Sequence, residues 1–255
     1  MTITETHCHL DYLKDRPLEE TLRLAAEAGV GRIVTIGVDP ANLDGVMALA
    51  EAHAPVYFSQ GIHPHDSKDA TDSEWAKITA RASHPKMVAV GEIGLDYHYN
   101  NSPPDVQRVA FRRQLEIAVA TGKPVIIHSR DADDEMAAML AEFAPRLPRK
   151  GVVHSFSSGL ELARAAIDLG FYLGFNGMIT FPKAENVREA VRLCPLNRIL
   201  VETDAPFLTP VPHRGKENGP HLLPHVVDKV AEIKGISREE VVQATSQNAQ
   251  DLFGF

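Results

Sequence analysis

The 255-residue chain has only two cysteines, Cys8 and Cys194, and no C-x-x-C spacing, so neither a disulfide framework nor a C-x-x-C redox or zinc motif is available to it. Both are expected as reduced, buried thiols. No apolar run approaches the roughly 20 residues that a bilayer span needs. The N-terminus turns polar at once and lacks the basic-then-apolar layout of a secretory signal, so cytoplasmic residence is the expectation. A surplus of positive charge is missing too: 26 Lys and Arg against 34 Asp and Glu leave a net charge of −8. That excludes a protein coating long nucleic acid through a broad basic surface, but it admits a small anionic group into a pocket whose cations are metal ions. No low-complexity tract or Pro/Ser-rich linker divides the chain, and residues 1–255 read as one domain. With 44% hydrophobic and 24% charged residues, the composition is that of an ordinary soluble protein.

What is present is an alternation. Short β-branched runs ("ITETH", "RIVTIGV", "VYFSQGI", "MVAVGEI", "PVIIHS", "GVVHSF", "YLGFNG", "RILVETD") are separated by amphipathic stretches. "PLEETLRLAAEAG" carries Pro17 near its start and Gly29 at its end. "SPPDVQRVAFRRQLEIAVATG" runs from Ser102 as expected N-cap to Gly122 as terminator, and Ser237 to Glu240 fit a capping box. Strand and helix in alternation imply parallel pairing with helices over the sheet. Eight strands in this length fit a (β/α)8 TIM barrel. The competing open doubly wound sheet finds little support, because no G-x-G-x-x-G joins strand to helix.

In such a barrel the active site forms at the C-terminal ends of the strands, and the polar residues fall there. The first run ends in His7 and His9, the third runs into His63 and His65, and the fourth ends in Glu92. His128 closes the fifth, His154 the sixth, and Glu202 and Asp204 the eighth. Each alone has an ordinary explanation: a histidine hydrogen-bonded in the core, or an aspartate capping the turn before Pro206. Glu92 is the exception, since an unpaired carboxylate on a core strand costs several kcal/mol. Strand alternation puts His7 and His9 on the face of Ile3 and Glu5 and turns Cys8 away. It likewise aligns Val90 with Glu92, Ile126 with His128, Val152 with His154, and Leu200 with Asp204. Five strands ending in metal-competent side chains suggest a binuclear centre of four imidazoles and two carboxylates, one of which can bridge.

With these residues assembled, the chain resembles the TatD family of metal-dependent hydrolases, within the amidohydrolase-like group of TIM barrels. The resemblance is carried by "THCHLD", "GIHPH", "VGEIGLDYH", "IHSRDA", "VHSFSSG", "VETDAPFL", "HRGKENGP" and "NAQDLF". It implies a (β/α)8 fold, divalent-metal hydrolysis and DNase activity. It also implies that His7, His9 and Asp204 hold one cation, that His128 and His154 hold a second, and that Glu92 lies between them. Gly219 stands where family members more often carry an acidic residue.

The expected chemistry is phosphodiester hydrolysis of single-stranded DNA, as an exonuclease, by a metal-activated hydroxide. Asp204 and Glu92 are the catalytic candidates, with Asp204 moving the proton. His63, Arg130, Arg214 and Lys216 are candidate phosphate contacts; His65 could join them, but after Pro64 it is expected rather as a surface residue. Two divalent cations per chain are implied; Zn and Mn suit the imidazoles, while Mg prefers oxygen. DNA is the expected partner, with no membrane and no obligate protein partner. The alternative is hydrolysis of a carbonyl bond, as in D-aminoacyl-tRNA or an amide; a barrel that binds metal without turnover is disfavoured by the complete ligand set.

Overall fold

A computed structural model describes residues 2–99 and 101–255. Among them, eight strands form one parallel sheet in sequence order: β1 (Ile3–Cys8), β2 (Val30–Gly37), β3 (Val56–Gln60), β4 (Met87–Asp96), β5 (Val125–Arg130), β6 (Gly151–Val153), β7 (Tyr172–Phe175) and β8 (Ile199–Val201). The sheet comes round on itself just beyond β8. There Asp204 N donates to His7 O at 2.9 Å and His9 N donates to Ala205 O at 2.7 Å. Helices fill each crossover, from α1 (Leu18–Glu27) to α8 (Leu223–Lys234), and α9 (Arg238–Phe253) follows. This is the (β/α)8 TIM barrel.

Local signals explain most boundaries. Gly122 ends α4 (Pro104–Thr121) at φ 71°, and Ser237 opens α9 with a full capping box. Ser102 does not cap α4. Pro103 holds that position, and the buried Ser102 hydroxyl instead donates to His65 O at 2.7 Å and accepts from Lys68 N at 3.1 Å.

Two apolar layers flank the strands. Val34, Ile36, Val88, Ile126, Val152 and Leu200 plug the barrel interior together with Leu252 and Phe253 of α9. The larger layer lies between strands and helices and takes in Ile33, Ile93, Ile127 and Leu173. Ile126, Val152 and Leu200 therefore fill the barrel below His128, His154 and Asp204, and Cys8 packs outward, as alternation predicts. Ile3 and Val90 do not fill it: both belong to the outer layer. The cause is irregular pairing, with register shifts between Ile3 and Thr4, between Glu5 and Cys8, and between Val90 and Ile93. A shift of one residue reverses which face a side chain takes. No helix among the described residues is long and apolar enough to cross a membrane.

Candidate metal centre

The strand ends bring His7, His9, His63, Glu92, His128, His154 and Asp204 into one cluster at the mouth of the barrel. Glu92 is its hub. Its Oε1 lies 2.7 Å from His154 Nε2, 3.1 Å from His128 Nδ1 and 3.3 Å from His63 Nε2, while its Oε2 lies 3.4 Å from His7 Nε2. Asp204 Oδ1 stands 3.7 Å from His7 Nε2 and 3.6 Å from His9 Nε2. The His7 and His154 rings stack, with centroids 3.8 Å apart. Burial works to push the Glu92 carboxyl up, yet the imidazoles of His154 and His63 hold it well below the usual carboxylate range. Burial opposes ionisation of Asp204 as well, but the His9 hydrogen bond together with the imidazoles of His7 and His154 holds its carboxyl below the usual range.

Behind these residues lie carboxylates that sequence reasoning did not assign. Asp96 Oδ2 meets His128 Nε2 at 3.0 Å and His65 Nε2 at 2.9 Å, and its Oδ1 accepts from the backbone of His98 and Tyr99. An anion at Nε2 favours the His128 tautomer protonated there, which leaves the Nδ1 lone pair available to a cation held between it and Glu92. His65 is thus a partner of Asp96 rather than a free surface residue. Glu202 Oε1 accepts from Ser155 N at 2.5 Å and lies 3.5 Å from His154 Nδ1. Glu5 accepts from the backbone of His7 and Thr203, and burial pushes its carboxyl up to about 8. The available signal was the one that exposed Glu92: a carboxylate within a core run ("TETH", "GLD", "VETD") needs a partner. Close backbone approach accounts for nearby glycines. A Cβ at Gly94, φ 147°, would stand 1.9 Å from His128 O, and one at Gly174 would stand 2.6 Å from Glu202 Oε2.

The cluster floors a cleft of about 680 Å³. Arg130 and His63 line it. Arg214 and Lys216 do not: the Arg214 guanidinium packs 3.9 Å from the Phe181 ring centroid, and Lys216 lines a separate depression with Arg16 and His221. The long loop after β8 folds back on itself there, with Lys216 O accepting from Thr209 Oγ1. Gly219, the position of the departure from the family pattern, starts the turn that leads into α8.

The donors fit divalent cations. Three groups have ligand atoms within 4.8 Å of one another: His7 with His9 and Asp204, His63 with Glu92 and His128, and His7 with His154 and Glu202. Both ring nitrogens of His7, Nδ1 of His9 and Nδ1 of His154 are buried without a hydrogen-bond partner. Buried polar atoms of this kind call for a partner, and imidazole with carboxylate is the ligand set of first-row divalent metals. His63, taken from sequence as a phosphate contact, thus stands among the candidate ligands. It groups with Glu92 and His128, while His154 reaches the same Glu92 oxygen.

A (β/α)8 barrel with an imidazole–carboxylate cluster at its C-terminal mouth defines the class of metal-dependent barrel hydrolases. A family model described as TatD related DNase matches residues 4–254, and the chain belongs to that family as a metal-dependent hydrolase. It is 39% identical over 250 residues to the metal-dependent hydrolase YabD of Bacillus subtilis, covering 98% of each chain. With the metal-dependent hydrolase YcfH of Escherichia coli it shares 37% identity, over 99% of this chain and 96% of that one. Among solved structures, the TatD homologue YJJV from Escherichia coli superposes with a TM-score of 0.92 at 34% identity, covering 99% and 98% of the two chains.

Proposed function

We propose that this chain is a divalent-metal-dependent deoxyribonuclease that hydrolyses phosphodiester bonds of single-stranded DNA from an end. The reading is carried by one observation: the metal-competent groups meet around Glu92 on the floor of a cleft whose wall carries Arg130. The family description and the cationic group on the wall both favour a phosphate ester. In this proposal His7, His9 and Asp204 hold one cation, His128 and His154 with His63 hold the other, Glu92 lies between the two, and the whole of residues 1–255 works as one hydrolase domain. Two such cations, when bound, supply a nucleophilic water near neutral pH and neutralise charge on the phosphate oxygens.

The side chains do the rest. Asp204, held in its ionised form by the neighbouring imidazoles of His9, His7 and His154, accepts the proton of the attacking water and returns it to the departing oxygen. Ser155 Oγ, 3.5 Å from Asp204 Oδ2, and Asn176 Nδ2, 2.8 Å from that hydroxyl, steady the carboxylate. Arg130 orients the phosphate through the N–H groups on the edge of its guanidinium, whose face lies over Tyr99. The net charge of −8 favours a strand end over a long duplex.

The test is hydrolysis of single-stranded DNA labelled at either end, by chelator-stripped protein reloaded with Mg²⁺, Mn²⁺ or Zn²⁺, beside Asp204→Ala. Stepwise release of mononucleotides by the wild type, with Asp204→Ala slower by about 10²–10⁴-fold, is the expected result. Silence with every metal, two ions being bound, refutes it and turns the assignment to a carbonyl substrate such as D-aminoacyl-tRNA.

A further inference from the structure

Among the described residues, two large exposed apolar side chains face the metal cleft: Tyr99, 56% exposed, and Phe207, 53% exposed. They stand on opposite walls. Tyr99 follows β4 and Phe207 follows β8, four positions apart in a ring of eight strands. A phenyl left in water beside a polar cluster forgoes its own burial, and the backbone beneath it is built to keep it there. Phe207 N donates to Asp204 O at 2.9 Å, and buried Asn218 donates from Nδ2 to Phe207 O at 2.6 Å and to Thr203 O at 2.9 Å. The turn begins at Asp204, φ 58°, and ends at Leu208, φ 54°. Both are left-handed without being glycine, a strain that tertiary contacts must sustain. Between those two residues the chain keeps the Asp204 carboxylate in the cluster and the phenyl at the rim, edge-on to His9 with centroids 6.1 Å apart. On the other wall the Arg130 guanidinium lies 4.8 Å from the Tyr99 ring centroid, so that a planar cation and a ring form one surface.

Resting on the nuclease reading, we infer that Phe207 and the Tyr99–Arg130 pair are nucleobase platforms, one on each side of the phosphate that is cut. Flat apolar faces flanking a phosphate-cutting centre reproduce the order base, phosphate, base along a strand. Stacking accepts every base, because each has a π-face. It also requires bases that are free of a partner strand, so the platforms select unpaired ends and give no sequence preference.

The test compares kcat/KM on a single-stranded oligonucleotide with that on the same strand carrying abasic residues on both sides of the cut phosphate. The wild type prefers the ordinary strand. In Phe207→Ala and in Tyr99→Ala this preference falls by about tenfold, chiefly through KM, and Phe207→Trp restores it. An unchanged preference in both alanine variants overturns the platforms while leaving the nuclease standing. If the wild type cuts neither strand with both ions bound, the nuclease reading fails instead. Fluorescence anisotropy of a labelled oligonucleotide then decides the platforms alone: binding weakened by Phe207→Ala upholds them, and equal binding overturns them.

Discussion

On the β1 side of the cluster His7 is wholly buried, and neither of its ring nitrogens has a hydrogen-bond partner; His9, nearly as buried, keeps one nitrogen bare. On the β5 side the His128 side chain is 19% exposed and both of its nitrogens are engaged, Nδ1 toward Glu92 and Nε2 toward Asp96. The same residue type is therefore held in two ways. An unpartnered buried donor or acceptor costs about 1–3 kcal/mol, so the His7 side has more to recover from a cation than the His128 side. The His128 side is oriented in advance by a carboxylate and lies nearer to solvent. The contrast predicts two affinities: under rising chelator, the ion on His63, Glu92 and His128 leaves first and the ion on His7, His9 and Asp204 leaves last. Simultaneous release would erase the distinction.

Glu92 touches both sides, and its substitution should break the comparison most severely. Glu92→Gln is expected to retain one ion per chain by elemental analysis and to lose several kcal/mol of charge compensation, roughly a hundredfold or more in turnover. Two tightly held ions in that variant would remove Glu92 from its shared position. Asp96→Asn sharpens the comparison by acting on one side. An amide that turns its NH₂ to His128 Nε2 forces the proton onto Nδ1, where a ligand lone pair is needed. The expected loss is roughly 10–100-fold in affinity for the ion on the His128 side, with the ion on the His7 side unchanged, and with ¹⁵N chemical shifts that report the exchanged His128 tautomer. Equal loss of both ions would mean that Asp96 supports the fold rather than the ligand. The smallest effect belongs outside the cluster. Arg214→Ala and Lys216→Ala should each change kcat/KM on DNA by no more than roughly twofold, the range of ordinary surface substitutions. A tenfold rise in KM for either would bring the loop after β8 into the substrate path.

The amino-acid order alone determined the alternation of strand and helix, hence the barrel, because parallel strands buried on both faces must be apolar and each must be followed by a covering helix. It also determined which strand ends carry metal-competent groups: histidines and carboxylates at the ends of apolar runs stand out against them, as His128 does after "PVII" and Glu92 after "AVG". What it left open depends on contacts between distant strands. Alternation counted from Ile3 or Val90 assigns those side chains to the wrong layer, since the slips in pairing that reverse the phase are settled by the neighbouring strand. The second carboxylate of His128 comes from β4 in register, Asp96 opposite Arg130, and no spacing along the chain announces that pairing. His63 joins Glu92 because β3 lies beside β4, whereas Arg214 and Lys216 stay away because their loop folds back on itself. Sequence names the chemistry a strand can bring; only closure of the barrel decides which side chains meet, because hydrogen-bond and ligand geometry is set across the sheet and not along it.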